Sequence, residues 1–240
     1  MQEIWDFLKS QRDTLRSRTG KVFGTYNIQR WIRIDPAKIE AILTMTHPRN
    51  IRELQSFLGK INFLRRFISN LAELIRELNN MLRKDATLEW TVEAKQSFET
   101  IKEALTKAPV LISPDFNKDF IIFSFALEHT IAAVLLQNNK QGYKQPIAFF
   151  SKSLRDATLK YNIMEKQALA LIKSIKDFKL YILYSHIIAY VPNSIVNEIL
   201  TKNGPEGKRG KWIATILEYD IEIKPIKLIN FQGLAKLMAK

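Results

Sequence analysis

The chain of 240 residues is 46% hydrophobic and 10% aromatic, enough to bury one large or two modest cores, and it carries a formal charge of +13. With no cysteine it has no disulfide, thiol catalysis or zinc finger, and three scattered histidines (His47, His129, His186) build no histidine-rich metal site, so any metal would fall to carboxylates. No stretch approaches about 18 consecutive apolar residues and the first residues mix both signs of charge, so a soluble intracellular protein, cytoplasmic or nuclear and without membrane contact, is expected.

The charge is uneven: +4 over residues 1–34, +2 over 35–112 and +7 over 113–240. Such an excess favours attraction to a polyanion, nucleic acid above all, through counterion release. A merely solvated basic surface accounts for it equally well, and charge alone sets no sequence preference.

Residues 1–34 show weak helical periodicity at Ile4, Trp5 and Leu8, then turn chemistry from Gly20 to Gly24, and are left unassigned. From Asp35-Pro36 the pattern becomes helical: Asp35 is a good N-cap, Pro36 suits the first helical position, and Ile39, Ile42 and Leu43 form an apolar stripe ended by His47-Pro48. A second helix starts near Asn50 with Leu54, Phe57, Leu58, Ile61 and Leu64 facing a core and Lys60, Arg65 and Arg66 at its end. A third covers Leu71 to Leu82, Asp85 to Trp90 is a linker, and a fourth covers about Val92 to Ala108. Pro109 to Pro114 breaks this regime, so the expected division is a helical region over 35–112 and a second domain over 113–240.

Beyond that break the period changes to that of strands, at about 119–127, 131–138 and 145–151, with turns near 128–130 and 138–143. A long helix from about Thr158 to Leu183, a strand from His186 to Val191 and a short helix capped by Pro192-Asn193-Ser194 follow. After a Gly204 to Gly210 loop come a helix near 211–218, a strand from Ile221 to Lys227 and a terminal helix from Gly233. The expected class is α/β (α+β), a mixed five-stranded sheet with flanking helices.

Several ordered stretches carry a family resemblance: residues 34–42, Arg52 to Gly59 with Arg65-Arg66-Phe67-Ile68, Glu89-Trp90-Thr91, 94–98, 104–111, Pro146 to Leu154, Tyr161 to Glu165 and Gln232 to Ala235. Together they resemble the gypsy class of LTR retrotransposon Pol polyproteins, namely the reverse transcriptase thumb or connection region followed by an RNase H-like domain. The polymerase centre of that family is a Tyr-x-Asp-Asp hairpin, and this chain has no adjacent Asp-Asp pair. Polymerase activity by this chain alone is therefore not expected.

The family's RNase H site holds two magnesium ions about 4 Å apart on converging carboxylates. The resemblance places those four carboxylates at Phe125, Glu165, Pro192 and Lys236, or at Gly233 for the last in a shifted alignment. Glu165 is the sole remnant. Glu128 and Asp156 are the nearest substitutes in sequence, while Glu165 also reads as an ordinary helical Glu ahead of Lys166.

The resemblance therefore implies a pseudoenzyme with no expected cofactor, retaining at most non-specific binding to an RNA–DNA hybrid or duplex, with Lys60, Arg65 and Arg66 as phosphate contacts. Two readings stay open beside it: an active Mg-dependent hybrid ribonuclease with relocated carboxylates, and a domesticated protein-interaction scaffold. The Gly204 to Lys211 stretch fails the phosphate-loop spacing and reads as a solvated basic turn. His129 and His186 read as turn or strand-edge residues, and Trp90 and Trp212 as packing residues.

Overall fold

The computed structural model describes residues 19–22, 25–28, 31–83, 88–192, 194–201 and 207–226. Strands β1 (Thr19–Val22), β2 (Thr25–Ile28) and β3 (Trp31–Ile34) form an antiparallel meander, and β4 (Leu111–Ile112) joins β3 through Trp31↔Ile112 and Ile32↔Leu111. Alternation explains β3: Ile32 and Ile34 are buried while Trp31 and Arg33 face outward. The described residues of the unassigned segment are thus strands. Of the stretch expected to turn, Gly20 to Val22 pair as strand with β2 and residues 23 and 24 lie outside the described residues, as does the helical periodicity at residues 4–8.

Several helices begin where a side chain satisfies one of their first N–H groups. In α1 (Pro36–Leu43), Asp35 accepts a bond from the Ala37 N–H at 3.1 Å; in α2 (Ile51–Phe63), Asn50 accepts from the Glu53 N–H at 2.9 Å. The Asn70 cap is left-handed (φ 49°), and Ile75 departs from helical geometry, so the single expected helix over 71–82 is two: α3 (Leu71–Leu74) and α4 (Arg76–Asn80). α3 packs both on the sheet described below and on α5 (Val92–Thr106), while α4 packs on α5, which Thr91 caps through the Ala94 N–H at 3.2 Å.

The second sheet has the order β7-β6-β5-β8-β9, built from β5 (Phe120–Ala126), β6 (Thr130–Asn138), β7 (Lys144–Ser153), β8 (Ile187–Val191) and β9 (Ile221–Pro225). β5, β6 and β7 pair antiparallel, whereas β8 runs parallel to both β5 and β9. Pro146 has no ladder N–H, and the β6–β7 register slips beside it, between Leu135 and Leu136; an edge strand tolerates both. The turn at 139–143 is closed by Asn139, whose side chain accepts bonds from the N–H groups of Gln141 and Tyr143, and by Gly142 at φ +84°.

Both faces of this sheet are covered, which is why β5 and β6 read as nearly continuous apolar runs. On one face Phe120, Ile122, Ala133 and Leu135 meet Leu171, Ile175 and Phe178 of α6 (Ile163–Ile182), with Val196 of α7 (Ser194–Thr201) and Trp212 of α8 (Gly207–Leu217). On the other, Ile121, Phe123, Val134, Leu136 and Phe149 share a core with Phe57, Ile61, Phe98, Ile101 and Leu105 of the N-terminal helices. Each such side chain, fully buried, stabilises by roughly 1.5–3 kcal/mol.

Two helix starts differ from expectation. Residues 156–158 form a separate 3₁₀ turn with Asp156 at φ +48°, and α6 begins only at Ile163, where Asn162 caps it. Helix α8 starts at Gly207, whose φ of +71° favours glycine, so 207–210 are helical rather than part of a loop. The terminal helix expected from Gly233 lies outside the described residues. Among the described residues no helix is long and apolar enough to cross a membrane.

Candidate functional site

The parallel register Phe120↔Ile187 to Phe123↔Tyr190 aligns the C-terminal ends of β5 and β8. Two residues further on stand Phe125 and Pro192, by alternation on the same face as Phe123 and Tyr190, whose rings stack at 4.7 Å with 13° between planes. Pro192 is buried and Phe125 half-buried. The structure therefore brings these two predicted positions to one corner of the sheet.

Glu165 belongs to the first turn of α6, the helix covering the opposite face. Its N–H donates to Asn162 Oδ1 at 2.9 Å, and its negative charge suits a helix N-terminus. Its side chain is only 12% exposed, and the Arg209 guanidinium from α8 lies 3.6 Å from its carboxylate. Arg209 is the residue missed in the sequence, because the basic run around it reads as a solvated turn. Its signal was the four-residue spacing of Trp212 and Ile216, which marks the start of a helix packing on the core.

Both nearby substitute carboxylates lie in exposed turns. The Glu128 side chain is 83% exposed beside His129, while its backbone carbonyl accepts a 2.7 Å bond from the buried Lys166 Nζ. Asp156 is exposed in its 3₁₀ turn. Phe125 and Pro192 offer no anionic oxygen, Glu165 faces a cation, and among the described residues no three His, Asp or Glu side chains gather as a metal site. This donor set does not fit a pair of magnesium ions. Lys236 and Gly233 lie outside the described residues.

The predicted phosphate contacts have different surroundings. Lys60 is exposed, with Met45 Sδ 3.8 Å from its Nζ. Arg65 opens the 3₁₀ turn Arg65–Phe67 and reaches Asp177 of α6 at 3.5 Å, while Arg66 is half-buried with its guanidinium 5.7 Å from the Phe67 ring centre. Partial desolvation raises the Asp177 carboxyl above the usual aspartate range, against the opposing pull of Arg65 and Lys152. The tryptophans are packed: Trp90 donates to the Pro48 carbonyl at 2.9 Å and sits edge-on to Phe98, and Trp212 is buried near Tyr161. His186 precedes β8 and pairs with Asp220 at 3.0 Å.

Residues 90–189 match the RNase H-like domain found in reverse transcriptase. The Tf2-3 and Tf2-4 transposon polyproteins of Schizosaccharomyces pombe are each 32% identical over 189 residues, covering 77% of this chain and 14% of theirs. The chain thus spans about 14% of the length of the curated relatives it matches. Among solved structures, a foamy viral protease-reverse transcriptase in complex with double-stranded DNA is 26% identical with a TM-score of 0.72, covering 88% of this chain and 38% of that one. The same type of protein in complex with an RNA/DNA hybrid is 25% identical with a TM-score of 0.72, covering 87% and 29%. The chain accordingly carries an RNase H-like domain of the kind found in reverse transcriptase, within a retrotransposon polyprotein segment similar to the Tf2 proteins over most of its length.

Proposed function

We propose that this chain is the thumb or connection region and RNase H-like part of a retrotransposon polyprotein, that it binds nucleic acid through the backbone without sequence selection, and that it does not hydrolyse it. The observation that carries the inactive reading is the corner formed by Phe125 and Pro192, apolar at two places where the family resemblance requires aspartates. One carboxylate, already facing Arg209, supplies too little negative charge to hold two dications against their mutual repulsion. No cofactor is needed in this reading. The binding reading is supported by the net charge of +13 and by the similar foamy viral proteins, whose structures contain double-stranded DNA or an RNA/DNA hybrid.

The test is a cleavage assay on a labelled RNA–DNA hybrid with magnesium or manganese, run beside Glu165→Ala. No metal-dependent cleavage above background is expected from either protein. Cleavage by the wild type that Glu165→Ala abolishes would establish the rival reading, an active ribonuclease with relocated ligands.

A further inference from the structure

We propose that the pocket between β3 and the β6–β7 turn binds a nucleoside phosphate, with its base against Trp31 and its phosphate on Lys118 and Lys140. This goes beyond the function proposed above and does not rest on it. The pocket lies at the opposite end of β6 from the Phe125 corner: β6 starts beside that corner, where Ala132 pairs with Phe125, and ends at Asn138.

A cavity of about 380 Å³ opens where the two sheets meet. Trp31 and Ile112, paired across β3 and β4, form one wall. Asp115 and Lys118, from the loop before β5, form a second, and residues 138–141 with Gln145 form a third. Hydrogen bonds hold these walls without help from a ligand. Gln137 is buried, and its side chain grips the loop: Oε1 accepts from the Asp115 N–H at 2.9 Å, while Nε2 donates to the carbonyls of Asp115 at 2.8 Å and Lys118 at 3.1 Å. Asn139 closes the turn opposite through the N–H groups of Gln141 and Tyr143. A concavity formed in advance lowers the ordering cost of binding.

Several groups of the lining are left over for a ligand. Ser113 Oγ is buried with no hydrogen-bond partner among the described residues, a cost that a polar ligand atom would remove. Trp31 is 43% exposed, whereas Trp212 is buried in the core. Lys140 is exposed, and Lys118 Nζ lies 3.3 Å from the Asn138 carbonyl, so neither cation is paired with an acid among the described residues. Asp115 is the one acid of the described lining, and its Oδ1 already accepts from the Asn117 N–H and Nδ2, both at 3.3 Å.

This lining selects the ligand. An exposed indole favours a planar ring, and stacking on it tolerates any base. Two cations without paired acids favour an anion, which a phosphate supplies. The side-chain amides of Asn138 and Gln145 each present a donor and an acceptor, matching a base edge or a ribose hydroxyl. The volume is near the lower end of the range for small-ligand pockets, about 300–1,000 Å³, so it suits one nucleotide rather than a run of them. A base stacked inside a duplex has no free face for the indole. The nucleotide is therefore an unpaired one, either free or at the overhanging end of a strand.

Calorimetric titrations of the full chain at low salt with adenosine 5′-monophosphate, adenosine, ribose 5-phosphate and inorganic phosphate test this. The monophosphate should bind with a dissociation constant below about 1 mM, and each of the others at least about tenfold more weakly. Trp31→Ala should weaken the monophosphate by about tenfold or more, and Trp31→Phe should keep most of the affinity. Lys118→Gln with Lys140→Gln should weaken the monophosphate about tenfold and leave adenosine unchanged, a split that a collapsed pocket would not give. Tyr143→Ala removes an exposed aromatic from the same turn but outside the lining, and should change nothing. In the wild type the monophosphate should shield Lys118 and Lys140 from an amine-acylating reagent more than Lys144, a readout that needs no variant.

A duplex with a single-nucleotide overhang separates the two sources. Tighter binding than the blunt duplex, lost in Trp31→Ala, assigns the pocket to a strand end; equal binding of the two duplexes assigns it to free nucleotide. No binding of the monophosphate, no shielding of the two lysines, or inorganic phosphate binding as tightly as the monophosphate overturns the pocket, whatever the blunt duplex does. A blunt duplex that fails to bind at low salt overturns the binding reading above and leaves the pocket standing.

Discussion

The two faces of the five-stranded sheet are covered by different parts of the chain, yet both are dry and close-packed; the sheet's C-terminal corner, by contrast, departs from the family's chemistry. Phe120 and Ile122 point to one core and Ile121 and Phe123 to the other, from the same strand. Two residues beyond the last β5–β8 pair, Phe123↔Tyr190, stand Phe125 and Pro192, where the family resemblance expects side chains that hold metal. Burial constrains a scaffold through area and volume, which many apolar sequences satisfy. A two-metal site needs specific anions at specific places, and one substitution ends it.

The largest effect should come from removing one cover. Expressed alone, residues 113–240 would expose Ile121, Phe123, Val134, Leu136 and Phe149, together roughly 10 kcal/mol of lost burial, comparable to the whole stability of a domain. The expected result is aggregation or a fluctuating state without a cooperative melt. A sharp thermal transition from that fragment would show that the helical layer is not a structural partner of the sheet.

Single-residue truncations compare the faces directly. Phe98→Ala should cost about 3–5 kcal/mol and Ile175→Ala about 2–5, since both are fully buried. Denaturant melts reading one transition with similar losses are expected; separate transitions would mean that the two faces unfold independently.

At the corner, Phe125→Asp puts back an acid without its partners. Stability should fall by about 1–3 kcal/mol, because a half-buried carboxylate loses water, and no hybrid cleavage should appear. Gain of magnesium-dependent activity from this one change would contradict the account of the corner. Glu165→Gln should cost about 1 kcal/mol or less, the worth of a pair with a partly exposed arginine, and Arg209→Gln should match it in a double-mutant cycle.

The smallest effect concerns pH. Asp177 has a raised folded pKa, so the folded state holds that proton more tightly than the unfolded chain. Stability from this group is greatest below the ordinary aspartate value and declines as pH rises through the raised one. Asp177→Asn should flatten that decline in melts across the acidic range and, by releasing Arg65, tighten duplex binding slightly.

Much of the fold was legible because it follows local rules. Asp35-Pro36, Asn50 and Thr91 mark helix starts through side chains that bond nearby N–H groups, and the switch from 3.6 to 2.0 periodicity after Pro114 marks the sheet. The break at Ile75 was not legible, because Leu71, Leu74, Ile75, Leu78 and Leu82 keep helical spacing across it. It belongs to the tertiary packing, in which α3 meets both the sheet and α5 while α4 meets α5. The early strands were missed although β1, β2 and β3 pair locally, because each is only four residues long, too short for alternation to stand out; the pairing of β3 with Leu111–Ile112 is the non-local part.

The sequence by itself determined the order of most elements, the apolar replacement of two expected acids and the excess of positive charge, since composition and near-neighbour spacing express all three. Only the tertiary structure decided that Arg209 faces Glu165, and that Arg65, Lys152, Arg155 and Lys173 line one cavity. Apart from Lys152 and Arg155, those groups come from distant parts of the chain and meet only when helices dock on the sheet. No periodicity encodes such meetings, because their positions are set by the packing of elements against one another.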